Sequence, residues 1–245
     1  MKISIVIPAY NEEKHIAKVI QIVNECKIAD EIIVVDNNST DNTSSIASSL
    51  GAKVVFCKKQ GKGYAMETGI KNVNGDIIVF LDGDIKNYKK GFINNLVEPI
   101  INRKADFVKA TFERSGGRVT ELVAKPLLEL TYPRLSKFEQ PLSGIIAVKT
   151  KLIKQIKLDK DYGVDIGILI DLYKLKARIK QVSIGKITND SQDWRSLIKM
   201  SKQVSSAIIK RSYDKQFTSK ENNSVEFKMG VSLSLFFLVI TYRKK

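Results

Sequence analysis

Short apolar runs alternate with segments of helical periodicity along the first 112 residues. Ile16, Val19 and Ile20 illustrate the helical pattern, because their spacing places them on one face of a helix. This alternation is typical of βαβ units around a mainly parallel, Rossmann-like sheet flanked by helices. Strands are predicted at residues 4–7, 31–35, 54–56, 76–81 and 107–112. Helices are predicted at residues 16–23, from 39–42 to about 51, at 61–72 and at 89–102.

The pattern changes after residue 112. Apolar residues from Val119 onward predict a long helix that ends at Pro133, since proline lacks the N–H that continues a helix. Further strands are predicted at residues 145–148 and 179–187, and further helices at residues 165–176 and 194–211. No sharp change of composition divides the chain. We therefore expect one α/β domain over residues 1–211, in halves of 1–112 and 113–211, and a tail over residues 212–245.

Polar segments follow four of the predicted strands at their carboxyl ends. In a doubly wound sheet, ligands bind in the crevice beyond these ends. The sequence therefore predicts a ligand site built from these segments. They are PAYNEE at residues 8–13, DNNSTD at 36–41, KKQGKG at 58–63 and DGD at 82–84.

The DGD segment has the most specific chemistry. Asp82 and Asp84 are two residues apart at the end of an apolar strand, and Gly83 between them allows a ligand to approach the backbone. Two neighbouring carboxylates repel each other, and a divalent cation removes that cost. We expect a metal site here. The alternative is a turn with two solvated acids.

Asp36, Glu12 and Lys62 are further candidates. Asp36 ends an apolar strand, where its carboxylate needs donors such as a uracil imide or a ribose hydroxyl, although a helix cap is equally consistent with its position. Glu12 could instead be a first-turn acid stabilised by the helix dipole. Lys62 lies between two glycines, which suits a position beside a diphosphate, but this short motif is a weak signal by itself.

A second anion site is predicted near the start of the 119–133 helix. A glycine pair precedes Arg118, and Val119 and Thr120 open the helix. Backbone N–H groups, a hydroxyl and a guanidinium can then bind one anion, such as a phosphate. The alternative is an ordinary flexible loop and helix cap.

Four motifs in this order carry a family resemblance: IVIPAYNEE, VVDNNSTDNT, GKGYAMETG and IIVFLDGDI. Across residues 3–85 the chain resembles family-2-type glycosyltransferases, which implies the GT-A fold and a DxD pair that binds metal and nucleotide. GGRVTE at residues 116–121, QPLSG at 140–144 and YGVDIG at 162–167 further resemble the glucosyl-3-phosphoglycerate synthase family. This second resemblance extends to about residue 211.

The resemblance implies a retaining transfer of glucose, with mannose the second choice, from UDP-glucose or a similar donor to 3-phosphoglycerate. It also implies a Mg²⁺ or Mn²⁺ cofactor. The implied catalytic residues are Asp84, Asp165 and Lys62. The implied donor-binding residues are Pro8, Ala9, Tyr10, Asn11, Glu12, Asp36, Asn38, Lys62, Asp82, Gly83, Asp84, Gly144 and Asp165. The implied acceptor-binding residues are Gly117, Arg118, Val119 and Thr120.

Two positions depart from the family pattern. Asp165 stands where the family usually has glutamate, so its carboxylate has a shorter reach. The family also has a metal-binding histidine after the last strand, whereas this chain reads Thr-Asn-Asp-Ser-Gln-Asp at residues 188–193. Asn189 or Asp190 is the candidate replacement, because Mg²⁺ accepts oxygen ligands.

The chain is basic, with 41 lysines and arginines against 26 acidic residues among 245, for a net charge of +15. Such a charge favours anionic partners. The sequence has no zinc-finger spacing, aromatic and basic RNA motif or basic helix with heptads, so we expect no nucleic-acid partner. Cys26 and Cys57 fit neither a CxxC motif nor a zinc site and are expected to be buried thiols in the cytoplasm.

The tail contains an apolar run, VSLSLFFLVI, at residues 231–240. As a helix it would be about 15 Å long, against roughly 30 Å of hydrocarbon, so we expect it to pack or to form an oligomer contact rather than cross a bilayer. A homodimer is expected, and a peripheral membrane contact is the alternative. Two further functions remain open: a polyprenyl-phosphate or dolichyl-phosphate glycosyltransferase, and an inactive protein that binds nucleotide sugars.

Overall fold

The computed structural model describes residues 1–85, 87–89, 91–113, 117–188 and 193–213. Asn189 and Asp190, predicted as alternative metal ligands, lie outside the described residues. So do the first glycine of the predicted acceptor loop and the apolar run of the tail.

The described residues form seven strands and nine α-helices, in the alternating order that the sequence predicts. The strands are β1 (Ile3–Ala9), β2 (Glu31–Asp36), β3 (Lys53–Phe56), β4 (Ile77–Phe80), β5 (Phe107–Glu113), β6 (Ile146–Lys149) and β7 (Ile179–Lys186). The helices are α1 (Ile16–Glu25), α2 (Thr43–Ser49), α3 (Lys62–Asn72), α4 (Phe92–Ile101), α5 (Lys125–Thr131), α6 (Pro133–Ser136), α7 (Thr150–Ile153), α8 (Val164–Lys174) and α9 (Trp194–Ser212).

All seven strands belong to one sheet, in the order β3-β2-β1-β4-β6-β5-β7. β1 pairs in parallel with β2 and β4, and β5 pairs in parallel with β7. β6 runs antiparallel to both of its neighbours, β4 and β5. The predicted mainly parallel sheet is therefore confirmed, and β6 is an antiparallel strand whose direction the sequence did not reveal.

The sheet has an apolar core on each face. Alternate residues of β1 point to opposite faces, so Val6 belongs to one core while Ile5 and Ile7 belong to the other. The first core contains residues of α3, α5, α8 and α9, and the second contains residues of α1, α2 and α4. Burial on both faces explains why the parallel strands read as continuous apolar runs.

The helix predicted from Val119 to Pro133 is interrupted. A π-helical turn occupies Thr120–Ala124, and α5 continues from it to Thr131. Pro133 follows the end of α5, as predicted, but it also begins α6, because its fixed φ suits the first turn of a helix. α6 and α7 have four residues each, too few for a periodic pattern to predict them.

Within the described ranges, no helix combines the length and the apolar character that crossing a bilayer requires.

Candidate active site

A cavity of about 490 Å³ opens at the carboxyl ends of the central strands. It is bounded by the loops after β1 and β4, the amino terminus of α3, the segment before β6, the start of α8 and one side of α9. Ten of the predicted site residues line this cavity. They are Pro8, Ala9, Tyr10, Glu12, Lys62, Asp82, Gly83, Asp84, Gly144 and Asp165.

Lys62 is the centre of the polar part of the cavity. Its Nζ donates to Asp82 Oδ1 and to Asp165 Oδ2, each at 2.9 Å. The Lys62 side chain is 17% exposed and that of Asp165 is 2% exposed. The ion pairs therefore join the start of α3 to the end of β4 and to the first turn of α8.

Burial shapes the protonation of this cluster. Burial alone lowers the pKa of Lys62, but the negative charges of Asp165 and Asp82 outweigh it and raise the pKa above its ordinary value. Lys62 is therefore a cation at neutral pH. Burial also raises the pKa of Asp165, and the charge of Asp82 adds to the effect, while Lys62 opposes it. Asp165 Oδ1 is buried and has no hydrogen-bond partner within the described part of the chain.

Two glycines permit the close packing around Lys62. A Cβ on Gly144 would overlap Lys62 Nζ and would lie 2.5 Å from Asp82 Oδ1. A Cβ on Gly63 would overlap the backbone carbonyl of Asp159. A side chain at Gly63 would push the start of α3 away from Asp159, and one at Gly144 would displace the ends of the Lys62 and Asp82 side chains.

Asp84 and Glu12 form the acidic side of the cavity. Burial raises the pKa of Asp84, and the neighbouring charge of Asp82 raises it further. Burial likewise raises the pKa of Glu12, and the charge of Asp84 raises it further. His15 Nδ1 lies 3.0 Å from Glu12 Oε2. The acids are thus held at an electrostatic cost that a cation would relieve.

The acids fit a divalent cation that shares its shell with a ligand. No group of three or more His, Cys, Asp or Glu side chains within the described ranges is arranged to hold a metal ion. Mg²⁺ is commonly bound through one or two carboxylates together with substrate phosphates. Asp82 and Asp84 match that donor set, and Tyr88 fixes the first of them by donating its hydroxyl to the Asp82 carbonyl at 3.1 Å.

A buried lysine that the sequence reasoning missed lies behind the cavity wall. Lys109 of β5 is 1% exposed, and its Nζ donates to the Ser143 carbonyl at 2.7 Å and to the Asp165 carbonyl at 3.4 Å. Burial lowers the pKa of Lys109 to about 8, although the charge of Asp165 opposes this. An apolar strand gave no reason to expect a ligand-site lysine in its middle.

Asn37 was also missed, although it stands beside the predicted Asp36. Asn37 lines the cavity and is 5% exposed. Its Oδ1 accepts from the Gly61 N–H at 2.8 Å, and its Nδ2 donates to the carbonyls of Cys57 and Lys59. It thereby fixes the loop that leads into Lys62. The sequence signal that could have identified Asn37 is the pair of amide side chains, Asn37 and Asn38, directly after β2.

α9 supplies a cavity wall that the sequence did not indicate. Lys199, Met200 and Gln203 of this helix line the cavity, as does Tyr162 just before α8. Arg211 anchors α9 by donating to both Asp171 oxygens, at 2.8 and 2.7 Å, and also to Asp159. Only a tertiary contact brings a helix so far along the chain to this cavity.

Three predicted donor-binding residues do not line the cavity. Asp36 is 6% exposed, and its two oxygens accept from the Ser39 N–H at 3.0 Å and the Ser44 hydroxyl at 2.7 Å, so it holds the loop after β2 without capping α2, whose N-cap is Asn42. Asn11 accepts from the Thr40 N–H at 2.9 Å and so joins the loops after β1 and β2. Asn38 is exposed, with φ at 67°. Their roles as donor-binding residues remain predictions.

The predicted acceptor residues lie outside the cavity lining as well. Gly117 has φ at 94° and Arg118 is exposed, whereas Val119 and Thr120 are 5% and 1% exposed. Thr120 Oγ1 is buried and lacks a hydrogen-bond partner in the described part of the chain. The predicted role of these four residues remains untested.

Sequence comparison decides the family. The family model for glycosyl transferase family 2 matches residues 4–161, more than half of the chain. The chain belongs to this family. A relative, glucosyl-3-phosphoglycerate synthase from Petrotoga mobilis, is 36% identical over 86% of this chain and 73% of its own.

Solved structures agree with this assignment. The glycosyltransferase superposes on glucosyl-3-phosphoglycerate synthase from Mycobacterium tuberculosis in complex with Mn²⁺, UDP and phosphoglyceric acid, with a TM-score of 0.83 and 36% identity over 86% of this chain and 78% of the other. A complex of that enzyme with Mn²⁺, UDP-glucose and phosphoglyceric acid gives a TM-score of 0.82 and 37% identity over 86% and 79%. The predicted GT-A fold is confirmed.

Proposed function

We propose that this glycosyltransferase moves glucose from UDP-glucose to a hydroxyl of 3-phosphoglycerate with retention of configuration, using a divalent cation. Mannose is the second choice of sugar. The observation that carries the proposal is the position of Lys62 between Asp82 and Asp165 in a cavity shared with Asp84. The relatives that bind UDP-glucose and phosphoglyceric acid support the choice of substrates.

We assign the metal to Asp82 and Asp84, with Mg²⁺ or Mn²⁺ as the ion. When bound, such a cation supplies positive charge to the diphosphate of the donor and acts as a Lewis acid for its departure. Glu12 lines the same cavity, and burial raises its pKa, with the charge of Asp84 adding to the effect. Asn189 or Asp190 remains the candidate for a further ligand.

Lys62 stabilises the charge that develops on the leaving diphosphate. An ammonium has three N–H donors, and Asp82 and Asp165 accept two of them. The third donor remains for a phosphate oxygen. Because the two carboxylates keep Lys62 protonated and in place, this donor is preorganised before the substrate arrives.

Asp165 binds the sugar through its free oxygen. Oδ2 is held by Lys62, whereas Oδ1 is buried without a partner and can accept a sugar hydroxyl. Gly144 lets the backbone lie against the same group of atoms. During transfer the bond from the anomeric carbon to the diphosphate oxygen breaks, the acceptor oxygen bonds to that carbon, and the acceptor hydroxyl passes its proton to the departing diphosphate oxygen.

Arg118 and Thr120 are assigned to the acceptor, together with the backbone at Gly117 and Val119. The exposed guanidinium of Arg118 is available to a phosphate or carboxylate, and the unpartnered Thr120 hydroxyl can donate to it. In this assignment, residues 1–112 bind the donor, and residues 113–211 mainly bind the acceptor. A homodimer and a cytoplasmic location remain part of the proposal, the latter because Cys26 and Cys57 are free thiols.

A matrix of donors and acceptors tests the proposal. UDP-glucose, GDP-glucose and GDP-mannose are each combined with 3-phosphoglycerate, in the presence of Mg²⁺, Mn²⁺ or a chelator. We expect turnover with UDP-glucose and loss of turnover with the chelator. The anomeric proton coupling in the product's NMR spectrum then reports whether configuration is retained.

The two other candidate functions give different results in the same matrix. A polyprenyl-phosphate glycosyltransferase would form product with a lipid phosphate and none with phosphoglycerate. An inactive binding protein would show UDP-glucose binding by calorimetry without product from any acceptor. Either result would overturn the proposed reaction.

A further inference from the structure

Gln203 carries a buried oxygen that no group in the described part of the chain satisfies. Its Oε1 is inaccessible to solvent and has no hydrogen-bond partner among the described residues. The side chain lines the same cavity as Lys62 and Asp165. A buried polar atom without a partner destabilises the fold, so its presence in a side chain that lines a ligand cavity points to a partner that the ligand brings.

Gln203 and Asp165 both line this cavity, and each carries one such oxygen. Asp165 Oδ1 is also buried and unpartnered. Both atoms accept hydrogen bonds, one as an amide carbonyl oxygen and one as a carboxyl oxygen. Their partner must therefore supply more than one donor. A ring with several hydroxyls meets this requirement, whereas phosphate and carboxylate groups, which are acceptors at neutral pH, do not.

The backbone segments that carry these two residues lie close together. The Gln203 carbonyl oxygen lies 3.0 Å from where a Cβ of Gly163 would stand, and Gly163 precedes Asp165 by two residues. α9 therefore contacts the start of α8 directly. Arg211 holds the same helix through Asp171 of α8, so the wall that carries Gln203 is rigid.

We propose that Gln203 accepts a hydrogen bond from a hydroxyl of the transferred hexose, beside Asp165, and so determines sugar specificity. The assignment rests on the proposed function, because it takes a nucleotide hexose as the occupant. The neighbouring Lys199 lies one turn before Gln203 and also lines the cavity. Its charge suits an anionic part of a substrate rather than a hydroxyl.

The test uses the full-length chain with Gln203→Leu, which removes the amide and keeps much of the volume. UDP-glucose is compared with its monodeoxy analogues, each lacking one ring hydroxyl. We expect Gln203→Leu to lower kcat/KM for UDP-glucose about tenfold and to leave the affinity for UDP unchanged. One deoxy donor should react equally well with the wild type and with the variant, since it lacks the hydroxyl that Gln203 binds.

Ser205→Ala is the matched control. Ser205 also has a buried, unpartnered oxygen on α9, but it does not line the cavity. This variant should discriminate among the deoxy donors as the wild type does. If Gln203→Leu does not fold, Gln203→Asn, which withdraws the amide by one methylene, must show the same selective loss.

Two results would overturn the inference. The first is an equal loss of kcat/KM in Gln203→Leu, relative to the wild type, for every deoxy donor. The second is a change confined to the KM of the acceptor. Either would show that Gln203 does not bind a hydroxyl of the sugar. If the wild type shows no turnover, the proposed reaction fails, and calorimetry then tests Gln203 separately. UDP-glucose should bind more tightly than UDP, and Gln203→Leu should reduce that difference; an unchanged difference would contradict the inference.

Discussion

Lys109 and Ser143 are joined by a hydrogen bond of 2.7 Å from the buried ammonium to the backbone carbonyl that precedes Gly144. Gly144 in turn lies against Lys62 and Asp82. Lys109 therefore holds the backbone of this segment on the side opposite the ion pairs. No carboxylate among the described residues contacts the Lys109 ammonium directly. The same cation reaches the Asp165 carbonyl, at 3.4 Å.

Lys109 should make stability depend on pH in the alkaline range. Its pKa is about 8 in the fold and close to 10.5 in the unfolded chain, so the unfolded state binds more protons between these values. Burying the charge therefore costs stability below pH 8, and the cost disappears as the pH rises to 10.5. We expect the free energy of unfolding of the wild type to rise by about 3 kcal/mol relative to Lys109→Met across this window.

Urea unfolding of both proteins at several pH values measures this difference. Lys125→Met is a suitable control, because Lys125 forms an exposed pair with Glu121. A constant difference between wild type and Lys109→Met from pH 8 to 10.5 would contradict the prediction.

Gly144→Ala should damage the site more than the fold. The added methyl would overlap Lys62 Nζ and crowd Asp82 Oδ1, so the ion pair between these two side chains must shift. We expect kcat/KM to fall roughly a hundredfold, which corresponds to about 3 kcal/mol. Gly51→Ala is the control: it meets open space at a φ of 82°, so it should cost about 1 kcal/mol of stability and leave activity unchanged. Comparable activity of the two variants would refute this role of Gly144.

Asp84→Asn should separate stability from function. The pKa of Asp84 is raised in the fold, so its ionised form disfavours folding once the pH exceeds that pKa. Without metal at pH 7, the variant should therefore be at least as stable as the wild type. Its metal-dependent binding of UDP-glucose should fall roughly a hundredfold by calorimetry. If the variant binds UDP-glucose as tightly as the wild type in the presence of metal, Asp84 is not a metal ligand.

Lys62→Met should harm both stability and activity. The substitution leaves Asp165, 2% exposed, and Asp82 without their cation. Removing one partner of a buried ion pair costs about 3 kcal/mol or more. Lys125→Met again serves as the exposed control, with an expected change below about 0.5 kcal/mol. A thermal melt of Lys62→Met that matches the wild type would show that the acids do not need this cation.

Arg118→Ala tests the acceptor assignment. The exposed guanidinium should bind an anionic group of 3-phosphoglycerate, so its loss should raise the KM for the acceptor about tenfold. The dissociation constant of UDP-glucose should not change. Steady-state kinetics at saturating donor measure the first quantity, and calorimetry the second. Equal effects on donor and acceptor would argue against the proposed division of labour.

Hydrophobic periodicity was sufficient for most of the fold. Each predicted strand is present, and the bounds differ by one or two residues, as for β1 at Ile3–Ala9 instead of residues 4–7. The break at Thr120–Ala124 was not foreseen, because a π-helical turn keeps an apolar periodicity close to that of an α-helix. Neither was the direction of β6, since the apolar pattern of a strand is the same in both directions.

Local sequence determined which residues gather at the strand ends. Lys62, Asp82 and Asp84 were identified because each directly follows a strand or opens a helix, where the fold class itself places the ligand. Only the tertiary structure decided that Lys109, Asn37 and Gln203 belong to the same region. It also decided that the Asp36 carboxylate accepts hydrogen bonds from Ser39 and Ser44. Such pairings depend on how distant segments pack, and periodicity records only which side of an element is buried.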